Sequence, residues 1–538
     1  MIIDDQNLHT GNLRRCCIAL GLLVAFCVDI STAQVAQQPS RHEFFRVSLG
    51  DTFRNPVSGR LLLFIAPVST DAKDKSAADS VDMDMMSPTR VYVAAKEVAY
   101  LAPGDSIDID AYDTVFPRPL LQAAPGSYRV QAVLDVHHTY NYEGRADGDL
   151  LSVPVTVSVP LSDSARNGLI LTEVSPDPPD PLAQRPDVVA ALKPLDLVSP
   201  VLTVYWGRDI HMRAWVLLPP GYTTHPQEHY PTVYFTHGFG GTLAEMRARF
   251  APLFYDRMKQ GRMPEMIWVL LDESSPTGTH EFADSVNNGP WGTALTTELI
   301  PSIEATYRMD ARPSGRFLQG HSSGGWATLW LQTRYPRIFG GTWSTSPDPS
   351  DFHFFSTIDL YAPRANFYRA PDGTLNPIIR EHGKARATMQ QLAGLESVLG
   401  PYGGQLASFE WVFSPRAADG RPAPLFDRVT GDIDPRVADY WRTHYDIVQH
   451  LNTDWKTTAP DLQGKIHLFV GTDDTFYLDG AAHSLQQTLD RLGIKSEFFF
   501  RPGRSHFDLY MDGNDHYALF DRIAAEMYSV ARPDKNAH

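Results

Sequence analysis

After Ser199 the chain alternates short apolar runs with helical patterns, and this alternation constrains its fold more than any other feature. The runs are "PTVYFTHG", "EMIWVLLDES", "GRFLQGHS", "GGTWSTSP", "KIHLFVGTDD" and "SEFFFRPGRSH". Strands that alternate with helices form a mainly parallel sheet covered by helices on both faces. Two further strands, "VLTVYWGRD" and "HMRAWVLLPPGY", are predicted to precede these runs. Residues 199–532 are therefore predicted to form one α/β domain.

The N-terminal part has a different pattern, in which apolar residues recur with period two between Pro and Gly turns. Over residues 40–165 this pattern predicts an antiparallel β-sandwich of the immunoglobulin-like kind. Within it, the polar stretch "TDAKDKSAADSVDMDMMSPT" is predicted to be a mobile loop. Residues 166–198, which contain "SPDPPDPLAQRP", are rich in proline and predict a linker along the surface.

A long interruption divides the α/β pattern between "TWSTSP" and "KIHLFVG". Ordinary connections between a helix and a strand are only a few residues long. Residues 347–463 are therefore predicted to be a mostly helical insertion of the size of a lid.

The first 33 residues have the layout of a secretory signal peptide. Arg14 and Arg15 precede an apolar run over residues 16–28, and Ser31-Thr32-Ala33 supplies a site of small residues for cleavage. A membrane anchor is the alternative, but about 13 apolar residues are too few to span a bilayer comfortably. The chain is therefore expected to be exported, to the periplasm or the extracellular medium, with no integral membrane segment after cleavage.

Cysteine usage and charge exclude several functions. The three cysteines, Cys16, Cys17 and Cys27, all lie in this leader, so the mature chain would contain no thiol. That excludes a disulfide framework, a thiolate metal site and a cysteine nucleophile. The net charge is −16 with no long basic run, which argues against a nucleic acid partner.

The stretch Gly320-His321-Ser322-Ser323-Gly324 fits the G-x-S-x-G pattern of a nucleophile elbow. Its setting supports the match, because an apolar strand, "RFLQG", precedes it and a helical pattern, "SGGWATLWLQTRY", follows at once. Ser322 has glycine two residues before and two residues after it, whereas Ser323 would need glycine at His321. Ser322 is therefore the candidate nucleophile, and the N–H of Ser323 is a candidate oxyanion donor.

A serine nucleophile needs a base and an acid, which in this arrangement follow it in the order acid, then histidine. Asp473 and Asp474 end one predicted strand, and His506 ends the next. These carboxyl ends of strands form the edge at which α/β sheets carry their sites. His516 is a rival base, but it lies beyond the strand and fits less well.

Two further stretches contribute candidate residues. In "YPTVYFTHGFGGT" a strand runs into a glycine-rich loop, whose Phe239 N–H is the candidate second oxyanion donor. The stretch "DSVNNGPWG" precedes a helical pattern and is expected at the rim of the pocket. His321, Asn288 and Trp291 are the candidate substrate-pocket residues, although Trp291 is equally explained as a packing residue.

Residues from about 200 to 530 resemble the esterase family of α/β hydrolases that includes esterase D, feruloyl and acetyl-xylan esterases, enterochelin esterases and mycolyltransferases. The resemblance rests on "WVLLPPGY", "PTVYFTHGFGG", "GTHEFADSVNNGPWG", "GRFLQGHSSGGWATL", "GTDDTFYLDG" and "GRSHFDLY". It implies the α/β-hydrolase fold. It also implies that Asp474, rather than the alternative acid Asp473, is the catalytic acid, and it supports Phe239 in the oxyanion hole.

The sequence thus predicts an exported serine carboxylic-ester hydrolase that needs neither metal nor cofactor. Its expected substrate is a small-molecule or polysaccharide ester, of a carbohydrate or an aromatic acid. Two enzymatic alternatives stay open, namely an acyltransferase with the same acyl-enzyme and a siderophore esterase of the enterochelin type. The alternative outside enzymes is a surface binding protein on a degenerate hydrolase fold. The sequence leaves the oligomeric state open.

Overall fold

The computed structural model describes residues 42, 44–68, 81–112, 114–140, 144–161, 167–176, 179–400 and 404–536. The predicted signal peptide with its three cysteines lies outside these residues, as does the first part of the predicted mobile loop. Among the described residues, no helix has the length and apolar character that crossing a bilayer requires.

The N-terminal part forms one nine-stranded sheet. In chain order the strands are β1 (Phe44–Leu49), β2 (Val57–Pro67), β3 (Tyr92–Leu101), β4 (Ser106–Asp110), β5 (Val115–Phe116), β6 (Gly126–Asp135), β7 (Leu150–Ser152), β8 (Val155–Val159) and β9 (Asn167–Val174). Their order in the sheet is β4-β1-β9-β7-β6-β2-β3-β5, with β8 also paired to β6. Phe45 of β1 and Leu63 of β2 belong to one core, so the sheet curls around it.

This sheet differs from the predicted antiparallel sandwich, which the structure does not confirm. Most of its pairings are antiparallel, but β1 and β9 are parallel. The predicted linker is also shorter than expected, because β9 occupies its first part and pairs with β1 and β7. Its last part forms another strand, β10 (Leu192–Val198), which begins the second sheet. Pro194 is tolerated there because β10 is an edge strand with a single neighbour.

The second sheet has eight strands and carries the α/β pattern. After β10 these are β11 (His211–Leu217), β12 (Thr232–Thr236), β13 (Ile267–Leu271), β18 (Arg316–His321), β19 (Gly341–Thr345), β22 (Ile466–Gly471) and β23 (Ser496–Arg501). They lie in the order β10-β11-β13-β12-β18-β19-β22-β23. The first two pairings are antiparallel and all others are parallel, as the sequence predicts for a mainly parallel sheet.

Helices cover both faces of this sheet. They are α1 (Pro186–Ala191), α2 (Pro200–Trp206), α3 (Leu243–Glu245), α4 (Ala251–Lys259), α5 (Trp291–Ala294), α6 (Ile300–Thr306), α7 (Ser323–Arg334), α12 (Asp479–Arg491) and α13 (Ala518–Ala531). Phe254 of α4 and Ile523 of α13 belong to one core, whereas Ile303 of α6 belongs to the core on the opposite face. The predicted strand "VLTVYWGRD" is wrong, since this stretch forms α2. Capping decides the outcome there: the Ser199 side chain accepts from the Leu202 N–H, and Gly207 ends the helix at φ 67°.

Between β19 and β22 lies the segment predicted as a helical insertion. It contains the hairpin β20 (Pro377–Glu381) and β21 (Lys384–Thr388), and the helices α8 (Met389–Leu399), α9 (Gln405–Phe413), α10 (Pro435–His444) and α11 (Ile447–Leu462). The remaining short strands, β14 (Ser274–Ser275), β15 (Gly278–Thr279), β16 (Asp284–Ser285) and β17 (Gly289–Pro290), form two small hairpins after β13. Helix α8 packs against the N-terminal sheet through Leu395, Val398 and Leu399, so the insertion joins the two sheets.

Candidate active site

Ser322 lies in the tight turn between β18 and α7. Its backbone has φ 59° and ψ −125°, a conformation that is strained for any residue with a side chain. The neighbouring glycines are required by packing: a Cβ on Gly320 would collide with the Gly324 carbonyl, and one on Gly324 would collide with the His237 carbonyl. The turn is held by the Ser322 N–H, which donates to the Thr345 carbonyl (3.0 Å). This is the strand-turn-helix geometry of a nucleophile elbow.

The two adjacent serines have different surroundings. Ser322 lines a cavity at this edge of the sheet. The hydroxyl of Ser323 is buried and donates to Asp348 Oδ2 at 2.6 Å. The Asp348 N–H in turn donates to the Ser322 carbonyl (3.2 Å), so Asp348 is hydrogen-bonded to both serines of the turn. Ser322 is thus the serine whose position suits attack on a bound ester.

Asp474 and His506 are brought together by the loops that follow β22 and β23. His506 Nδ1 lies 3.0 Å from Asp474 Oδ2, and both side chains are buried. Asp474 Oδ1 also accepts the Phe476 N–H (3.0 Å). Burial alone would raise the pKa of Asp474, but the charge and hydrogen bond of His506 hold it below its usual value. Asp474 is therefore ionised and orients the imidazole.

The other sequence candidates lie outside this pair. Asp473 accepts the Gly383 N–H (3.1 Å) and approaches Arg380 at 3.4 Å. His516 is exposed. The ring of His321 lies beside that of His506, with centroids 4.4 Å apart, and burial together with His506 lowers its pKa to about 3. His321 is therefore neutral, and its ring packs against that of His506.

Ser322 and His506 are not joined by a hydrogen bond within the described residues. Phe507, which follows His506, lines the same cavity as Ser322. Hydrogen bonds of catalytic groups are often long before substrate binds and shorten in the complex.

The glycine-rich loop after β12 lies directly against the elbow. A Cβ on Gly238 would lie 2.9 Å from the His321 carbonyl oxygen and 3.0 Å from Ser322 Cβ, so only glycine fits. Phe239, the next residue, lines the cavity. The loop is held in place by His237, whose Nδ1 contacts the Gly238 carbonyl (2.9 Å) and whose Nε2 accepts the Glu273 N–H (3.1 Å).

Ser323 is the first residue of α7. The first N–H groups of a helix have no acceptor within the helix and carry the positive end of its dipole. The N–H groups of Phe239 and Ser323 thus belong to the two elements that meet at Ser322.

The cavity in front of Ser322, here called the ester cavity, has a volume of about 120 Å³. Its walls are mainly apolar and come from the glycine-rich loop, the insertion, the loops after β22 and β23, and the N-terminal part of the chain. The apolar side chains are Met85, Phe239, Phe355, Ile378, Ile379, Met389, Leu392, Leu406, Phe409, Phe476, Leu478 and Phe507. The cavity is close in size to an engineered apolar cavity of about 150 Å³ that binds benzene.

Sequence reasoning missed most residues that line this cavity, and Asp348 and Met85 show why. Asp348 follows β19 at the carboxyl end of the strand, which is a signal that the sequence did contain. Burial raises the pKa of its carboxyl to about 6. Met85 lies in the described part of the predicted mobile loop, and no local pattern indicates its contact with residues some 300 positions away. Among the described residues, no group of three or more His, Cys, Asp or Glu side chains is arranged to hold a metal ion.

Asn288 and Trp291, two of the predicted pocket residues, do not line the ester cavity. They line a second groove, together with Trp206 and Trp411. Segment 272–277 contributes to this groove.

The chain was compared with proteins of known sequence. Residues 206–522, more than half of the chain, match the family model described as "Putative esterase". Esterase Rv1288 of Mycobacterium tuberculosis (strain ATCC 25618 / H37Rv) is 32% identical over 133 residues, which are 24% of this chain and 28% of that protein. The uncharacterized protein YbbA of Bacillus subtilis (strain 168) is 27% identical over 145 residues, 25% of this chain and 56% of that protein. The chain thus spans between about a quarter and somewhat more than half of these relatives.

Solved structures of esterases are also similar to this chain. A ferulic acid esterase matches with a TM-score of 0.38 and 16% identity, covering 63% of this chain and 97% of that one. The S-formylglutathione hydrolase of Agrobacterium tumefaciens matches with a TM-score of 0.37 and 13% identity, covering 63% and 94%. The family is shown by the family model, which spans residues 206–522. The chain belongs to the esterase family that this model describes.

Proposed function

We propose that this chain is a serine carboxylic-ester hydrolase that works through an acyl-enzyme formed on Ser322. The observation that carries the proposal is the strained turn at Ser322, which opens into an apolar cavity at the sheet edge where Asp474 and His506 are paired. Family membership supports the same class of reaction.

In the proposed reaction, Ser322 Oγ attacks the ester carbonyl carbon while His506 takes the hydroxyl proton. Asp474 holds the imidazole by its Nδ1–H and stabilises the imidazolium. The N–H groups of Phe239 and Ser323 donate to the oxyanion of the tetrahedral intermediate. His506 then protonates the departing alcohol. Water, activated by the same imidazole, attacks the acyl-enzyme and releases the carboxylic acid.

The walls of the ester cavity support an apolar acyl group as the substrate class. Its polar side chains are few, while its walls are formed mainly by Phe, Leu, Ile and Met. An apolar acyl group gains about 25 cal/mol for each Å² that it buries against such walls. The size of the cavity suits a short aliphatic chain or a single aromatic ring.

Export remains part of the proposal. It rests on the Arg14-Arg15 pair and the apolar run that follows. Cell fractionation of the full-length chain, with sequencing of the mature N-terminus, tests it. Cleavage near Ala33 is the expected result.

Turnover of p-nitrophenyl esters from acetate to octanoate, with methyl ferulate alongside, tests the catalytic proposal. Ser322→Ala should lower kcat by a factor on the order of a million, as in other triads of this kind. The matched variant is Ser323→Ala, which keeps the backbone N–H and should change kcat by less than about tenfold. Near-native activity of Ser322→Ala, or a larger loss in Ser323→Ala, would refute the assignment.

A further inference from the structure

The second groove, here called the tryptophan groove, is formed by parts of the chain that are distant in sequence. Trp206 ends α2, Trp291 begins α5 and Trp411 lies on α9. All three line one groove of about 570 Å³, and Asn288 lies in its wall. The groove shares no lining residue with the ester cavity.

Two of the indole rings are fixed to a single carbonyl group. The Nε1–H groups of Trp206 and Trp291 both donate to the Asn288 carbonyl, at 3.2 and 2.9 Å. One face of Trp291 is stacked on His280, with ring centroids 3.7 Å apart and planes 6° from parallel. The rings are therefore held in position before any ligand arrives, which lowers the entropy that binding costs.

The backbone of the third tryptophan is linked to the same segment by Ser285. The Ser285 hydroxyl donates to the Trp411 carbonyl (3.1 Å) and accepts the Asn288 N–H (3.4 Å). The segment that carries Asn288 thus holds two indole rings and the backbone of the third tryptophan.

Asn288 also presents an unpartnered donor. Its side chain is only 5% exposed, and its Nδ2 has no hydrogen-bond partner among the described residues. A buried amide donor without a partner costs about 1–3 kcal/mol. Asn288 lies in the wall of the groove, but its Nδ2 is covered, so a ligand oxygen would reach this donor only after the side chain rotates.

Charged side chains complete the groove. Asp209, Asp272, Arg208 and Arg213 line it together with the tryptophans, and the Arg208 guanidinium lies 6.0 Å from the centroid of the Trp206 ring. The groove therefore combines flat apolar faces with hydrogen-bonding groups of both kinds. A pyranose ring has the same two properties, because its C–H faces are apolar and its rim carries hydroxyl groups. Tryptophan has a matching character, with a large apolar face and a polar edge.

We propose that the tryptophan groove is a saccharide-binding site, in which sugar rings lie against the indole faces and their hydroxyl groups hydrogen-bond to charged side chains of the wall such as Asp209, Asp272 and Arg213. This inference goes beyond the proposed ester hydrolysis and does not depend on it. If both hold, the groove binds the sugar part of the substrate while the ester cavity takes the acyl group.

Affinity electrophoresis tests the proposal with the full chain carrying Ser322→Ala, which prevents hydrolysis of the probe. Native gels contain acetylated birchwood xylan, wheat arabinoxylan or konjac glucomannan. At least one polysaccharide should retard the protein. Adding Trp206→Ala or Trp411→Ala should weaken that binding by at least about fivefold, the fold-change that corresponds to the loss of about 1 kcal/mol when an anchoring aromatic side chain is truncated.

Trp455→Ala is the matched control. Trp455 is 38% exposed and Trp206 is 39% exposed, but only Trp206 lines the groove. The control should keep its affinity within about twofold. With Ser322 restored, Trp206→Ala should hydrolyse p-nitrophenyl acetate like the unmodified chain, so failure of this site and failure of the proposed function are distinguishable. Absence of retardation in every gel, or equal retardation of the Trp206→Ala, Trp411→Ala and Trp455→Ala chains, would overturn the proposal.

Discussion

The ester cavity and the tryptophan groove share no lining residue, and their walls are physically different. The cavity is small and mainly apolar, with Ser322 and Asp348 among its few polar residues. The groove is several times larger, and it combines tryptophan rings with charged side chains. A reaction that forms an oxyanion gains from excluding water, because hydrogen bonds are stronger in a low dielectric. A site for a hydroxyl-rich ligand needs donors and acceptors along its length.

The two regions are also held in shape by different contacts. The shape of the cavity is set by the strained turn at Ser322, which Asp348 and the glycine-rich loop contact. The groove depends on the Asn288 carbonyl, to which two indole rings donate. A substitution in one region should therefore leave the function of the other region unchanged.

After the loss expected for Ser322→Ala, the largest effect concerns the proposed catalytic acid. Asp474→Asn should lower kcat on p-nitrophenyl acetate by about 10⁴, because an amide cannot enforce the correct tautomer of His506. Asp473→Asn is the matched control, since Asp473 accepts from Gly383 instead of His506. Its kcat should stay within about twofold. Binding to the polysaccharide should be unchanged in both variants, and an equal loss of activity in the two would contradict the account.

The next effect concerns the stability of the elbow. Burial raises the pKa of the Asp348 carboxyl to about 6 in the folded chain, against about 3.9 in an unfolded one. Between these pH values the folded chain keeps a proton that the unfolded chain has released. The contribution of this group to stability is therefore full below about pH 4 and is lost as the pH rises through about 6.

Asp348→Asn removes this titration and leaves an acceptor for the Ser323 hydroxyl. Relative to the unmodified chain, its free energy of unfolding should rise by about 2 kcal/mol between pH 4 and pH 7. Urea unfolding at four pH values measures this difference. Asp473→Asn controls for the loss of one carboxylate at this sheet edge, and a stability difference for Asp348→Asn that does not vary with pH would refute the assignment.

A smaller effect is expected from Met85, which reaches the ester cavity from the N-terminal part of the chain. Met85→Ala enlarges the cavity and should shift the preference in kcat/KM from acetate towards octanoate by about tenfold, an effect of about 1.4 kcal/mol. Met86→Ala is the matched control, because Met86 packs nearby without lining the cavity. An unchanged chain-length profile for Met85→Ala would show that Met85 does not limit the acyl group.

The smallest expected effect is the coupling between the two regions. They share no lining residue, so Met85→Ala and Trp206→Ala should act independently. In a double-mutant cycle on an acetylated xylan, the coupling in the free energy of activation from kcat/KM should be below about 0.5 kcal/mol. A larger coupling would mean that the groove and the cavity act as one site.

The sequence predicts the features that depend on local backbone rules. The elbow at Ser322 requires glycines at fixed spacing between a strand and a helix, and the carboxyl ends of parallel strands are where an acid and a histidine are expected. Local rules fail at α2, where a run of β-branched and aromatic residues predicts a strand. The Ser199 cap and Gly207 favour a helix there instead.

Features that depend on distant contacts could not be predicted. Met85 reaches the cavity through packing with α8 and the rest of the insertion, and the tryptophan groove assembles side chains some 200 positions apart. The sequence predicts Asn288 and Trp291 at the pocket rim because their stretch precedes a helical pattern. Only the three-dimensional structure shows that these two residues line a groove different from the ester cavity.

Labelling with a fluorophosphonate tests the central claim most directly, because this probe reacts with an activated serine and needs no knowledge of the substrate. The label, located by peptide mass mapping, should be on Ser322. It should be lost in Ser322→Ala and strongly reduced in His506→Ala, while Ser323→Ala stays labelled. A folded chain that is not labelled, or a label on another residue, would contradict the assignment of Ser322 as the nucleophile.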